Sequence, residues 1–270
     1  MKFWKMQGIG NDFIVIDNMN GEINNIQKNA KFLCDRNFGI GADQILIAEK
    51  SDKADYFMRI FNADGSEVEM CGNGIRAITI FTKEQGICPK DEHRVDTLAG
   101  IKTTKIIGNL VKVNMGKAIF NGLSDFPDNF IQDEIKGCLA TCVSVGNPHC
   151  VIKTDSVDEI ELHKIGPHFE NHRFFPNRIN TEFVEIISPQ ELKMRVWERG
   201  SGETLACGTG ATASCIAMIK NGFSPAKKDI KIHLKGGTLI INWDTDTNTA
   251  YMSGEAKKVF KGEIKLHNAK

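Results

Sequence analysis

The sequence predicts a mixed α/β (α+β) protein made of two pseudo-symmetric domains. Three observations predict it. The chain has 270 residues, more than one compact domain usually holds and enough for two of about 130 residues each. Sliding it against itself by one fixed step brings its unusual segments into register without a gap. In both halves, short β-branched runs are followed by one apolar helical stretch.

The step is set by Cys71-Gly72 falling on Cys207-Gly208 (207 − 71 = 136). At that step Met58-Arg59 falls on Met194-Arg195, Glu67 on Glu203, Gly74 on Gly210 and Ala77 on Ala213. Upstream, Gly10-Asn11 lands on Gly146-Asn147, Val15-Ile16 on Val151-Ile152, and Gln44 on Asn180, two carboxamides with the same hydrogen-bonding capacity.

Residues 13–16 and 44–48 read as strands, and 56–61 as a strand entering the polar turn 62–66. After Cys71, the spacing of Ile75, Ala77, Ile78 and Phe81 predicts a buried helix ending near Gly86. The second half repeats the plan, with a strand over 194–197, a turn over 199–203 and an Ala-rich helix over 211–219 that stops at Gly222. Segments 108–115 and 238–243 read as strands and hairpins. The expected division is 1–117, carrying Cys71, and 118–257, carrying Cys207, with 258–270 returning to the first half as a strand.

Composition narrows the function. The chain carries 34 basic and 34 acidic residues, so it has no electrostatic footprint for nucleic acid or an anionic membrane, and a small molecule is the expected partner. No apolar run approaches the roughly 18 residues of a membrane span, and the N-terminus lacks a signal-peptide core, which predicts a cytoplasmic protein. Cysteines at 34, 71, 88, 138, 142, 150, 207 and 215 are expected to be reduced, and none has zinc-finger spacing. No metal is expected.

Cys71 and Cys207 stand apart from the other six. Each precedes a predicted helix, where unpaired amides and the backbone dipole favour a thiolate, and the glycines of CGNG and CGTG leave amides open to an anion such as a carboxylate. Removing an α-carbon proton requires a positioned base and donors that stabilise charge developing on the carboxylate. Inversion requires one such group on each face of the carbon, and pseudo-twofold halves supply a pair. The remaining cysteines read as small buried hydrophobes. Taken singly, Asn11 and Asn147 read as turn residues, Glu198 and Arg199 as an exposed ion pair, His149 as a core histidine, and His168 with His172 as a solvated helix face.

A thiol oxidoreductase would not need anion sites at both thiols, and a non-catalytic amino-acid binder would need no thiols. A dinucleotide fold would need a third glycine where Phe13 stands.

Six motifs, GNDF (10–13), GADQ (41–44), NADGSE (62–67), CGNG (71–74), GNPH (146–149) and WERGSGETLACGTGA (197–211), together resemble the diaminopimelate epimerases along the whole chain. The resemblance implies that each half wraps a mixed sheet around a central helix, with the active site in the cleft between the halves. It implies a cofactor-independent epimerase that converts LL-2,6-diaminopimelate to the meso isomer, with Cys71 and Cys207 exchanging the roles of base and acid. It further implies that Asn11, Gln44, Asn62, Gly72, Asn73, Asn147, Asn180, Glu198, Arg199, Gly208 and Thr209 hold the substrate and that His149 and Glu198 tune the thiols. It implies a homodimer as well, although Phe260 stands where a tyrosine linked to dimerisation often lies, and Ala77 where many members have a cysteine. Proline and hydroxyproline racemases also use two cysteines but typically have a histidine in the first motif, where this chain has Asn73.

Overall fold

The computed structural model describes residues 1–128, 130–135 and 138–266, so residues 267–270, the end of the segment expected to return to the first half, lie outside the described residues. The chain divides into two compact units, Met1–Val113 with Gly254–Lys270, and Asn114–Ser253.

The first unit contains β1 (Lys2–Gly8), β2 (Asn11–Asp17), α1 (Ile26–Cys34), β3 (Gln44–Glu49), β4 (Tyr56–Asn62), α2 (Gly72–Glu84), β5 (Glu92–Asp96) and β6 (Lys102–Ile107), and the chain leaves it within β7 (Leu110–Lys117). The second contains β8 (Ile131–Ile135), β9 (Cys138–Ser144), β10 (Pro148–Thr154), α3 (Leu162–Glu170), β11 (Asn180–Ser188), β12 (Glu191–Glu198), β13 (Gly202–Glu203), α4 (Gly208–Lys220), β14 (Ile230–Leu234) and β15 (Gly237–Asp244). The chain returns within β16 (Thr249–Glu255) and ends its described strands with β17 (Lys257–Glu263).

The 136-residue step is a repeat of sheet registers as well as of letters. In the first unit β1 and β2 are antiparallel, β2 and β3 parallel, β3 and β4 antiparallel. In the second, β9, β10, β11 and β12 follow the same sequence of directions. Phe13 lies opposite Gln44, as His149 lies opposite Asn180. One edge differs in origin: β9 is flanked by β8 from its own half, whereas β1 is flanked by β17 from the far end of the sequence.

Strand alternation sends neighbouring residues to opposite faces. Ile14, Ile16, Ile45 and Ile47 join Ala30 and Leu33 of α1 in one core. Cys150, Ile152 and Phe183 join Leu162 and Phe169 of α3 in the corresponding core. The intervening residues of those strands face the central helices. Helix α2 packs on β1, β2, β3, β6 and β17, and α4 on β9, β10, β11, β12, β14 and β15. A helix enclosed by sheet needs small residues, and α4 meets that need with buried Gly210, Ala211, Ala213, Ser214, Cys215 and Ala217.

Both central helices begin immediately after the cysteine, so the second extends three residues further back than the sequence reading of 211–219. The expected histidine face also changes: α3 ends at Glu170, which leaves His172 in the turn beyond it, with its ring against Phe174 at 4.8 Å. Among the described residues no group of three potential ligands forms a metal cluster, and no helix is long and apolar enough to cross a membrane.

Candidate active site

Cys71 and Cys207 hold the same local position. Each is the N-cap of its helix in an extended conformation, φ −136° and −124°, and accepts a hydrogen bond at sulfur from the amide three residues on. Gly74 N donates to Cys71 Sγ at 3.3 Å and Gly210 N to Cys207 Sγ at 3.4 Å. Sulfur thereby does what a serine or aspartate oxygen does at an ordinary N-cap, and the amides that hold it favour negative charge there.

Around Cys71 the first unit gathers carboxamides. The thiol donates to Asn11 Oδ1 at 3.6 Å, and Asn73 Nδ2 reaches the same oxygen at 3.4 Å. Gln44 Nε2 donates to Asn62 Oδ1 at 2.9 Å, across the β3–β4 register in which these two residues are partners. Two residues not singled out in the sequence orient Asn11. Its Nδ2 donates to Asp43 Oδ2 at 2.8 Å, and Arg36 bridges Asp43 and Asp12 at 2.9 and 2.8 Å. Both aspartates lie inside the repeated-half motifs, Asp12 in GNDF beside Asn11 and Asp43 in GADQ beside Gln44.

The second unit is built on the same positions with different chemistry. Asn180 sits at the start of β11 as Gln44 does on β3, and its Oδ1 accepts from Arg199 N at 3.0 Å. Glu198, at the end of β12, takes the place that Asn62 has on β4, and its carboxylate accepts from Thr204 Oγ1. Arg199 Nη1 donates to the Asn177 carbonyl at 3.3 Å, so Glu198 and Arg199 turn to separate partners in place of the ion pair their adjacency suggested. Thr209 Oγ1 lies 3.5 Å from Cys207 Sγ. His149 is wholly buried between Asn147 Oδ1, 3.0 Å from Nε2, and Glu182 Oε1, 2.7 Å from Nδ1. Gly72 and Gly208 open the two helices.

The repeated Arg–Glu pairs explain how the turns that carry Asn62, Glu198 and Arg199 are held. Arg59 Nε donates to Glu67 Oε1 and Arg195 Nε to Glu203 Oε1, both at 2.8 Å, and in each case Nη2 reaches the second oxygen. Such forked pairing ties the strand to the segment that folds back on it, by the Phe61–Glu67 bridge in one unit and by β13 in the other.

Electrostatics separates the two thiols. Burial, then the carboxylates of Glu198 and Glu182, push the Cys207 thiol well above its ordinary range, and the hydrogen bonds from Thr209 and Gly210 do not compensate. At Cys207 burial first, and then two nearby carboxylates, oppose the helix dipole, which acts over one turn only. Burial likewise raises the Glu198 carboxyl. Cys71 is only half-buried, and the buried Arg76 guanidinium of its own helix interacts electrostatically with it.

The family profile for diaminopimelate epimerase matches the chain twice, over residues 3–121 and 141–259. A diaminopimelate epimerase of Acetivibrio thermocellus is 47% identical, covering 99% of each chain. One of Methanococcus maripaludis strain C5 is 46% identical, covering 98% of this chain and all of the relative. Among solved structures, a Bacillus anthracis phenazine biosynthesis protein superposes with a TM-score of 0.72 at 16% identity, covering 98% of this chain and 99% of the other. A probable proline racemase from Agrobacterium radiobacter K84 gives 0.68 at 13% identity, covering 98% and 93%. These two structural likenesses establish a shared fold.

Proposed function

The chain belongs to the diaminopimelate epimerase family, isomerases of lysine biosynthesis, and from that premise we propose how its own residues invert the α-carbon of LL-2,6-diaminopimelate. One thiol, as thiolate, removes the α-proton, and the other delivers a proton to the opposite face. A proton is thus taken up on one sulfur and lost from the other, so the reverse reaction uses the same pair with roles exchanged. No pyridoxal phosphate takes part. The observation that carries this reading is the matched N-cap: each thiol receives an amide N–H at sulfur from the third residue on, 3.3 Å in one unit and 3.4 Å in the other.

The polar residues of both units divide the remaining work. Amides of Gly72, Asn73, Gly208 and Thr209 meet the carboxylate at the reacting end, where charge develops. Asn11, Gln44, Asn62, Asn147 and Asn180 orient the amino-acid groups through their carboxamides. Arg199 takes the distal carboxylate as a planar fork and Glu198 the distal ammonium, so the unreacting end sets specificity. His149 and Glu198 tune Cys207. The enzyme acts in the cytoplasm as a homodimer formed through β17, whose Val259 and Phe260 side chains are exposed.

The test is to incubate the protein with LL-diaminopimelate in deuterium oxide, without added pyridoxal phosphate, and to resolve the stereoisomers. Meso product carrying deuterium at one α-carbon is expected. A requirement for pyridoxal phosphate would overturn the thiol mechanism.

A further inference from the structure

Glu182 holds no part of the substrate in the proposed reaction, yet it is a wholly buried carboxyl group beside Cys207. It sits on β11 among Thr181, Phe183 and Val184, with none of its own surface exposed. Its Oε1 meets His149 Nδ1 at 2.7 Å and its Oε2 has no hydrogen-bond partner. It also lies directly under the mouth of α4, since a Cβ on Gly210 would stand 2.6 Å from Oε1. Burying an incompletely paired carboxylate is costly, and the fold does not require one there. At the same two positions of the first unit, 136 residues earlier, the residues are Phe13 and Leu46, and Leu46 packs under Gly74 as Glu182 lies under Gly210.

The first unit carries the opposite charge. Arg76, fully buried, donates from Nη1 to the carbonyl of Gly72 at 3.1 Å. Its counterpart Thr212 donates to the equivalent carbonyl, Gly208, at 2.8 Å. Both side chains make the same bond, but only arginine adds a cation beside its cysteine; burial lowers that guanidinium to about 10, which leaves it charged at neutral pH.

We propose that Glu182 is a positioning residue for the proton that Cys207 carries: it holds the His149 ring between itself and Asn147, and it places its carboxyl group directly under the α4 mouth, so that the second unit presents the acid and the first the base. This rests on the reading of Cys71 and Cys207 as the reacting pair. The carboxyl groups that act on Cys207 are Glu198 on β12 and Glu182 on β11; His149 on β10 is bonded to Glu182 and acts on Glu198, and the first turn of α4 has no acidic residue. Because Glu198 is retained when Glu182 is changed, the effect of the second carboxylate is separable.

The test measures iodoacetamide alkylation of each cysteine against pH, by peptide mass spectrometry on the full chain, in the parent and in Glu182→Gln. Glutamine keeps the volume and a bond to Nδ1 while removing the charge. The midpoint for Cys207 is expected to fall by about one pH unit or more, the scale of one nearby charge, with that of Cys71 unmoved. Turnover should fall on the order of tenfold with KM within about twofold, as for a group that acts on proton transfer. The paired change His149→Phe with Glu182→Leu, which installs the first unit's own packing pair, gives the same readout if glutamine is not tolerated. A Cys207 midpoint left in place in a folded variant would overturn the proposal. An active Cys207→Ala enzyme would instead overturn the two-thiol reaction while leaving the midpoint shift intact, so the two failures are distinguishable.

Discussion

Leu46 and Glu182 occupy one position in two copies of the same architecture, each within 3.0 Å of where a Cβ would stand on the third residue after a cysteine. That contact constrains the two helix mouths to glycine to different degrees. A leucine methyl can rotate away from an added Cβ. The Glu182 oxygen is held by His149 and has nowhere to go.

Gly74→Ala should therefore change stability little, because the helix propensity gained by losing glycine, about 1 kcal/mol, offsets the tight contact. Gly210→Ala should destabilise by about 1–3 kcal/mol, the range for overpacking a core. Urea unfolding of the two variants checks this, and equal losses would contradict the contact geometry.

Cys71→Ala and Cys207→Ala should each lower epimerisation by about 10²–10⁴-fold, the contribution of a positioned acid or base. Stereoisomer analysis after incubation with LL-diaminopimelate reads the loss. Full activity in either variant would end the two-thiol mechanism.

Arg199→Lys keeps the charge at the proposed distal carboxylate but loses the planar fork. A drop in kcat/KM of about tenfold or more is expected, in line with one hydrogen bond to a charged group. Normal kinetics would remove Arg199 from the distal site.

Asp12 provides a prediction about acid. Burial raises its carboxyl, but hydrogen bonds from Arg36 and Lys5 outweigh that and hold it at about 2, below the ordinary 3.8. Its folded value is depressed, so its contribution is complete above about pH 4 and is lost as pH falls towards 2. Discounted for the half-exposed setting, that contribution is about 1–2 kcal/mol. Asp12→Asn should be less stable than the parent by this amount at pH 7, with the gap closing below pH 4. A gap independent of pH would show that the charge of Asp12 is not what stabilises the cluster that orients Asn11.

Much of the local geometry around the two cysteines was legible in the sequence because its signals are local. Glycines after a cysteine expose amides and set an N-cap, and the N-cap forms in both units as spaced. Carboxamides at strand ends stand opposite each other because register follows from the repeat. Asp43 and Glu182 are not legible in this way: Asp43 acts through a bond to Asn11 across 32 positions, and Glu182 stands where the repeat breaks, at the mismatches Phe13 with His149 and Leu46 with Glu182.

By itself, then, the sequence determined two mixed α/β halves, a cysteine at each helix mouth and the chemistry such thiols support, all of which depend on spacing along the chain. Tertiary structure alone decided the surroundings that push the Cys207 thiol up. Burial and the approach of carboxylates from β11 and β12 depend on residues 9 and 25 positions away from Cys207, and Coulomb energy follows distance in space and local dielectric, neither of which is written in local sequence. Which strand the returning C-terminal segment pairs with was likewise decided in three dimensions, because backbone hydrogen bonds accept any extended segment that reaches the edge, and here β17 meets β1.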